Sequence, residues 1–578
     1  MKFLICLLSL APLLLDAQTN MRFTNPQIAE IVHGNFTPGD YADGAFYASP
    51  EDLAASIHSE VSQDSLKAYL LALRQFETRN TGSDTLSPTR GIGAARTWIH
   101  DRLMIMDTSL ADRLEVGYFQ FDQAVCGMGR HKNVVAALPG TDPAAPLIII
   151  QAHMDSRCAT VCDTDCLAQG MEDNGSGTAL VIELARVLGR YRFPNTILFV
   201  ATTGEEQGLI GANAMAQYFA NEDVEIKLVQ NNDIVGGIIC GETSSPPSCP
   251  GLNHVDSTQV RLFSHGSFNS RHKALCRYIK LQYEEMLEPI VPVPMRLTVM
   301  SAEDRTGRGG DHIPYRQRGY PAMRFTSANE HGNANTNDPD YHDRQHTSQD
   351  LLGVDTDSDG ELDSFFVNFN YLARNAVING NATAMAAIGP QPPEIVSAFF
   401  DGDTIYIELA SEIDYPQYVL GVRTDSHDFD SLYYMDSKFG VFVTAEREFS
   451  VFLSAASIDS NGVESLFSEE VLNLISATDD PAASTSTEPA IRLMGNRPNP
   501  FDEATTLSFW VEKPVAYRSA YILITDLQGR KVAQLETEVR PGLNELIYHH
   551  GYNVTGILVQ TLVIDGVAVD SKQMIYAN

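Results

Sequence analysis

Basic residues are scarce in this chain. Its 578 residues hold 40 Lys and Arg against 74 Asp and Glu, a formal net charge of −34. Nucleic-acid binding depends on Lys and Arg facing the phosphates, so the deficit argues against a nucleic-acid partner. The same negative field repels anionic membranes. Long apolar runs are missing beyond the first fifteen residues, and a membrane-spanning helix needs about 20 such positions. Cysteine occurs eight times and tryptophan twice, but a chain of this length builds sizeable cores without disulfide staples. What is present, 44% hydrophobic and 20% charged residues, is ordinary globular composition. The length predicts about three or four domains.

The first residues set the compartment. Met1-Lys2 is a short positive start, Phe3 to Leu15 is almost wholly apolar, and Leu15-Asp16-Ala17 ends on a small residue. Residues 1–17 thus read as a secretory signal peptide cut after Ala17, and the protein as exported and soluble. Cys6 leaves with that segment. The other seven cysteines then face an oxidising setting. Cys240 and Cys249 flank a Pro-rich loop and are expected to pair, while Cys126, Cys158, Cys162 and Cys166 cluster ahead of an acidic segment. The spacing of Cys158, Cys162 and Cys166 would also suit a metal or iron–sulfur site, but export favours bridging. The odd count leaves one thiol over, with Cys276 the candidate.

Residues 24–388 alternate apolar strand-like runs with amphipathic helix-like ones, an α/β pattern. Strands are expected at Val134–Leu138, Leu147–Gln151, Thr196–Ala201, Lys227–Asn231, Arg296–Met300 and Pro321–Phe325. Helices are expected at Ser65–Gln75, Gly93–Met104, Ser176–Leu188 and Phe268–Glu285. Gly389-Pro-Gln-Pro-Pro393 marks a boundary. Residues 390–475 read as a β-sandwich of fibronectin type III size, with strands such as Thr404–Leu409 and Val451–Ile458. Residues 476–490 form a low-complexity linker, and residues 491–578 a second all-β module. The fold class is α/β, a mixed central sheet flanked by helices, followed by two all-β sandwich modules.

In open α/β sheets, ligands collect beyond the carboxyl ends of the strands. Five segments end in potential metal ligands there. In the first, Leu147-Ile-Ile-Ile-Gln-Ala-His153-Met-Asp155, an extended chain points His153 and Asp155 the same way. The imidazole can then take a metal through one nitrogen while Asp155 holds the other N–H. The second, Gly170-Met-Glu172-Asp173-Asn174-Gly-Ser176-Gly177, opens a helix. Asn174 or Ser176 can cap it, which leaves two adjacent carboxylates unexplained, one of them able to bridge two cations. The third is Thr196–Ala201 followed by Thr-Thr-Gly204-Glu205-Glu206-Gln207-Gly208. Paired glutamates after a buried strand repel each other unless cations neutralise them; a solvated helix start is the plainer alternative. The fourth is Leu228-Val-Gln-Asn-Asn-Asp233. The fifth, Tyr341-His342-Asp-Arg-Gln-His346-Thr-Ser-Gln-Asp350, offers two imidazoles.

Taken together the segments supply nitrogen and oxygen ligands without thiolate, a set suited to zinc at a hydrolytic site. Two such ions carry +4, and Asp173, Glu206 and Asp233 contribute −3, leaving a positive centre that can acidify a water. Glu205 stands where it can accept that water's proton.

Residues 60–385 resemble the secreted two-zinc aminopeptidases of clan MH, the family-28 metallopeptidases. The resemblance runs through Thr78-Arg79-Asn-Thr-Gly82, Gly91-Ile-Gly93-Ala-Ala-Arg96-Thr-Trp98, the five segments, Gly307-Arg308-Gly309-Gly310-Asp311-His312-Ile-Pro314 and Gly319-Tyr-Pro321-Ala-Met-Arg324-Phe. It implies two zinc ions per chain, with His153 and Asp233 on one and Glu206 and His346 on the other. Asp173 would bridge both, Glu205 would be the general base and Asp155 would support His153. His346 is chosen over His342 because His-Thr-x-x-Asp, the family pattern, is met by His346 and Asp350. The family also implies a cis bond at Asp173–Asn174. The implied substrates are peptide or protein N-termini, whose free amine suits a ring of carboxylates. Asp311 and His312, after a Gly-rich turn, are candidates for substrate binding or for a structural role.

Secreted glutaminyl cyclases are similar at the ligand positions but use one zinc and a tryptophan-rich pocket; here there are only Trp98 and Trp510, neither in a site loop. A catalytically dead binding scaffold would show ligand loss, and no ligand is lost. Asp355-Thr-Asp357-Ser-Asp359-Gly360-Glu-Leu-Asp363 resembles the start of a calcium loop that would stabilise, or else a solvated acidic turn. An EF-hand needs Glu at its twelfth position, where Phe366 stands. Finally, Asn496-Arg-Pro498-Asn499-Pro500-Phe501, Asp526-Leu-Gln-Gly529-Arg530-Lys531-Val532 and Gly542-Leu-Asn544 are similar to the C-terminal sorting domain of type IX secretion. That resemblance implies the type IX machinery as partner, export across an outer membrane to the cell surface or medium, and removal of the tail near the linker.

Overall fold

The computed structural model describes residues 18–240, 254–266, 269–304, 308–327, 344–401, 404–424, 427–443, 451–473, 491–501, 504–515, 517–526, 531–550 and 556–576. In chain order the α/β part runs β1 (Thr19–Phe23), α1 (Pro26–Val32), α2 (Pro50–Glu60), α3 (Gln63–Leu73), α4 (Gly91–Ser109), β2 (Glu115–Val125) and β3 (Met128–Leu138). It continues with β4 (Leu147–His153), α5 (Gly177–Leu188), β5 (Ile197–Thr202), α6 (Ile210–Asn221), β6 (Ile226–Asn232) and β7 (Gln259–Phe263). Then come α7 (Arg271–Gln282), β8 (Arg296–Val299), α8 (Ile313–Arg316), β9 (Ala322–Ser327), the ribbon β10 (Gly353–Val354) and β11 (Ser364–Phe365), and α9 (Phe369–Ile388). The first nine strands make one mixed sheet in the order β1-β2-β3-β5-β4-β6-β9-β7-β8.

Segments within residues 1–44, 63–226 and 344–369 form one compact unit, and segments within 45–62, 227–343 and 370–578 another. In the first, β1, β2, β3 and β5 are antiparallel neighbours and β4 lies parallel to β5. Every residue of β4 and β5 is buried, as expected of strands covered on both faces, which read as unbroken apolar runs. Only Arg186 of α5 escapes burial. The register pairs His153 with Thr202, so both strands deliver their polar continuations at the same edge. In the second unit β6 is parallel to β9, β9 antiparallel to β7 and β7 parallel to β8.

The remaining strands form two all-β modules, β12 (Glu394–Asp401), β13 (Thr404–Ala410), β14 (Gln417–Arg423), β15 (Ser431–Met435), β16 (Phe439–Val443), β17 (Val451–Ile458) and β18 (Val471–Asn473) in one, and β19 (Ile491–Arg497), β20 (Ala504–Val511), β21 (Ala520–Asp526), β22 (Lys531–Glu536), β23 (Gly542–His549), β24 (Gly556–Ile564) and β25 (Val567–Tyr576) in the other. Each has a three-stranded and a four-stranded sheet, β12-β13-β16 with β15-β14-β17-β18 and β19-β20-β23 with β22-β21-β24-β25. The strand order is the same in both. Each encloses its own apolar core, Ile405, Leu420 and Leu453 in one and Phe501, Ile522 and Leu558 in the other. The first module is fastened to α7. Arg277 and Arg423 both bond Glu470, Lys280 reaches Asp428, and Gln282 donates to Glu464 at 2.9 Å.

Cys126 bonds Cys162, Cys158 bonds Cys166 and Cys276 is a buried free thiol. No metal is therefore held by the first four. Cys240 is disulfide-bonded; its expected partner Cys249, the signal segment 1–17, the linker 476–490 and His342 lie outside the described residues. Among those described, no helix is long and apolar enough to cross a membrane.

Candidate metal centre

His153 closes β4, and the loop that follows carries Asp155. Burial of the whole strand fixes where both emerge. The Asp155 carboxylate accepts the backbone N–H of Glu205 and of Glu206, each at 3.3 Å, so one acid of the first segment orients both acids of the third. His153 Nδ1 lies 3.1 Å from the Asp155 carbonyl oxygen and 3.6 Å from its carboxylate. An acceptor on that side leaves the proton on Nδ1 and the lone pair on Nε2.

Asp173 stands at the turn into α5, and its bond to Asn174 is cis. Gly170 has a left-handed φ of +57°, and a Cβ there would lie 2.4 Å from Ser156 and 2.5 Å from the Asp173 carbonyl. Only glycine fits so close a turn. Asn174 Oδ1 accepts the Gly177 N–H at 2.9 Å, so the expected cap is present. The Asp350 carboxylate accepts the N–H groups of Glu172 and Asp173, both at 2.9 Å. This also places His346, four residues earlier. Burial, followed by the Asp173 charge, pushes the Asp350 carboxyl up to about 7 against the pull of those two N–H groups and Arg79.

The two Asp173 oxygens divide between the imidazoles. Oδ1 lies 3.1 Å from His153 Nε2 and Oδ2 lies 3.0 Å from His346 Nε2. The same His346 nitrogen is 3.3 Å from Glu206 Oε2. Three ligand atoms, one each from Asp173, Glu206 and His346, lie within 4.8 Å of one another.

Asp233 follows β6. Its backbone carbonyl accepts Arg324 Nε at 2.7 Å and Thr326 Oγ1 at 2.8 Å, and Arg324 Nη2 reaches its carboxylate at 3.2 Å. Arg324 is itself held by Asp304 at 2.6 Å.

Whether these residues suit a metal ion can be tested on Glu206. Its Oε1 is buried and, among the described residues, meets no hydrogen-bond donor. Burial and the charge of Asp173 push the carboxyl up to about 8, against the pull of Arg157. A carboxylate left in that state is costly unless a cation takes the orphaned oxygen. The donor set is all imidazole and carboxylate, and it fits zinc.

Sequence reasoning missed three arginines. Arg79 is fully buried and donates to the carbonyls of Met154 at 2.6 Å and Gly170 at 2.8 Å, and to that of Gln169. It thereby ties the His153 loop to the Asp173 loop. Arg157 bonds Glu206 at 2.8 Å, and Arg324 holds Asp233. The adjacency of Arg157 to Asp155 and the place of Arg79 and Arg324 in recognisable motifs were the available signals, but none says which carbonyl or carboxylate a guanidinium will meet.

Other candidates fall outside this group. Asp311 and His312 are both 0% exposed. Among the described residues neither ring nitrogen of His312 has a hydrogen-bond partner, and burial holds the ring neutral, down to about 4. Asp355, Asp357 and Asp359 do gather their carboxylates, but Asp363 does not join them. Its carboxylate accepts the Thr356 N–H at 2.6 Å and the Thr356 hydroxyl. The trio's oxygens accept N–H groups of their own turn, as Asp355 does from Ser358 and Gly360.

Acids and imidazoles converging beyond the strands of a mixed α/β sheet are the furniture of a metal-dependent hydrolase. Comparison with known proteins agrees. Residues 133–362 match the model of peptidase family M28. A probable zinc metalloprotease of Pyricularia oryzae is 31% identical over 409 residues, covering 68% of this chain and 78% of the relative. One from Leptosphaeria maculans is 32% identical over 348 residues, 58% and 77% of the two chains. Among solved structures, the Legionella pneumophila LapA aminopeptidase aligns at 20% identity and TM-score 0.42, over 59% of this chain and 77% of its own. A Porphyromonas gingivalis glutaminyl cyclase aligns at 15% and 0.36, over 56% and 97%. The chain belongs to peptidase family M28, the zinc metalloproteases, and is by that membership a peptide hydrolase.

Proposed function

We propose that the protein is a secreted zinc aminopeptidase that removes residues from the N-termini of peptides or proteins. The observation that carries this reading is the division of Asp173, one oxygen toward each imidazole, which is the geometry of a carboxylate shared by two cations. His153 and Asp233 would hold one zinc, Glu206 and His346 the other. Bound zinc would supply Lewis acidity, lowering the pKa of water and polarising the scissile carbonyl.

The chain's own residues do the rest. Asp155 holds the backbone of Glu205 and so fixes where its carboxylate projects. Glu205, only half-buried, accepts the proton of the attacking water and returns it to the leaving amine. Asp350 and Arg79 keep Asp173 in register, so that the bridge does not depend on the metals for its position. The surrounding acids favour a substrate carrying a free α-ammonium group. Trp98 packs in an aromatic cluster with Tyr69 and Phe76 and Trp510 belongs to β20 (Ala504–Val511), which speaks against a tryptophan-rich cyclisation pocket.

The two β-modules are read as a fibronectin type III-like sandwich and a type IX sorting domain. The latter would pass the protein through an outer membrane and be removed near the linker. A calcium ion at Asp355, Asp357 and Asp359 would stabilise the β10–β11 ribbon only.

The test compares hydrolysis of aminoacyl and N-acetylated peptides by the zinc-loaded protein, with metal content measured on the same sample. Cleavage confined to free N-termini supports the assignment. Equal cleavage of blocked peptides removes it. For the tail, deletion of residues 491–578 should strand active enzyme in the periplasm, and unaltered export would refute that role.

A further inference from the structure

The two imidazoles of the centre are prepared differently. His153 Nδ1 faces an acceptor, the Asp155 carbonyl at 3.1 Å, so its Nε2 keeps a lone pair for a metal. His346 Nδ1 faces a donor: Arg157 Nη2, 2.7 Å away. A guanidinium can only donate, so Nδ1 must accept, and the neutral ring then carries its proton on Nε2. That nitrogen is the one directed at Asp173 Oδ2 and Glu206 Oε2, at 3.0 and 3.3 Å. A neutral imidazole has one lone pair. It serves Arg157 or a metal ion, but not both.

Arg157 also donates through Nε to Glu206 Oε2 at 2.8 Å, so one guanidinium spans both residues assigned to the second zinc. Its backbone is clamped: Cys158, next in sequence, bonds Cys166, and Cys162 in the same loop bonds Cys126. The side chain is 13% exposed, and Nη1 reaches the Ala159 carbonyl at 3.4 Å on the exposed side. The start of the side chain is thus fixed while its tip has somewhere to go.

We propose that Arg157 is a resident counter-cation of the Glu206–His346 half of the centre. It holds these two ligands together before the second metal arrives and must leave His346 when that metal binds. The second site therefore loads more weakly than the first, at a cost set by this chain rather than by the metal. The inference rests on the two-metal reading above.

The experiment is titration of the metal-free full-length protein with Zn²⁺, followed by calorimetry and checked with Co²⁺ absorption, for wild type, Arg157→Gln and Arg157→Lys. Wild type should take up two equivalents, the second more weakly. Arg157→Gln should tighten the second equivalent about tenfold, the size of one hydrogen bond to a charged group, and leave the first unchanged. Arg157→Lys keeps the charge and should retain the gap, which guards against an effect of loop distortion alone. Two equivalents of equal affinity in wild type, or a second equivalent unchanged or weakened in Arg157→Gln, overturns this inference and leaves the metallopeptidase reading intact. Uptake of no zinc by any form removes that reading, and the inference with it.

Discussion

Two buried clusters of charge invite comparison. Around Glu470, both oxygens of the carboxylate meet donors. Arg277 and Arg423 bond the carboxylate at 2.6–2.8 Å through three N–H groups, and the Asn269 N–H adds a fourth donor at 2.7 Å. The guanidiniums lie over Phe429 and Phe452. Burial pushes Glu470 up, yet the two arginines hold it below the ordinary range. Around Glu206 the balance fails. Burial and Asp173 outweigh Arg157, and among the described residues Oε1 has no donor. A buried carboxylate by itself therefore does not mark a functional site; a buried carboxylate with an oxygen short of a donor is the better pointer. One cluster ties the chain just before β18 to α7, and the other suits a cation.

The comparison breaks most visibly at Glu205. Replacement by Gln should lower kcat about 10²- to 10⁴-fold, the usual yield of general acid–base catalysis, while zinc content stays at the wild-type value. Retained turnover would show that the proton passes elsewhere. At Glu470 the reverse pattern is expected. Glu470→Ala strands two buried guanidiniums and should cost about 3–5 kcal/mol, read as a lower urea midpoint. Zinc affinity and kcat/KM of the folded fraction should not change. A loss of zinc from that variant would mean that the two clusters are not separable.

Removing metal sharpens the contrast further. Ligands that bind only the native state at 100 to 1,000 times their Kd add about 2.7–4.1 kcal/mol. Chelation should therefore lower the melting temperature of wild type and of Glu470→Ala by the same increment. A much smaller drop in wild type would indicate that no tightly held metal supports the fold.

Legibility in the sequence followed burial. Strands that are apolar on both faces were read almost to the residue: Leu147–Gln151 was expected and β4 runs Leu147–His153, while β17 coincides with the expected Val451–Ile458. Elements with polar interiors went unseen. α9 has Asn375, Asn379 and Asn381 fully or almost fully buried, their side-chain amides bonded to the carbonyls of Tyr371, Asn375 and Gln282. Such a helix shows no apolar stripe. β2 alternates only in its middle, Phe119-Gln120-Phe121-Asp122, and opens Glu-Val-Gly with no apolar run to mark it. In the site, the acids and imidazoles announced themselves because like charges after apolar strands need a reason. The arginines did not, because a guanidinium is explained only by what it touches. The division of Asp173 between two imidazoles is likewise a fact of three dimensions.

The smallest effect expected concerns pH, at the seam between α7 and the first β-module. Glu464 is pushed up to about 8 by burial and by neighbouring Glu285, against a hydrogen bond from Gln282. Glu285 is raised too, chiefly by burial, against the Tyr434 hydroxyl that donates to it at 2.8 Å. A carboxyl raised from 4.5 holds its proton in the folded chain when the unfolded chain has lost it. Its contribution is complete below about 4.5 and drains away as pH climbs to about 8, so native stability should decline across that window. Glu464→Gln supplies a permanent neutral group of the same shape and should flatten the decline. The shift is shared with Glu285, so the gain at pH 8 should be on the order of 1 kcal/mol, seen as a higher melting temperature there and little change at pH 4.5. Unlike the Glu206 cluster, this seam should respond in the same way whether or not zinc is present. A pH dependence that vanished on chelation would assign the proton to the metal centre instead.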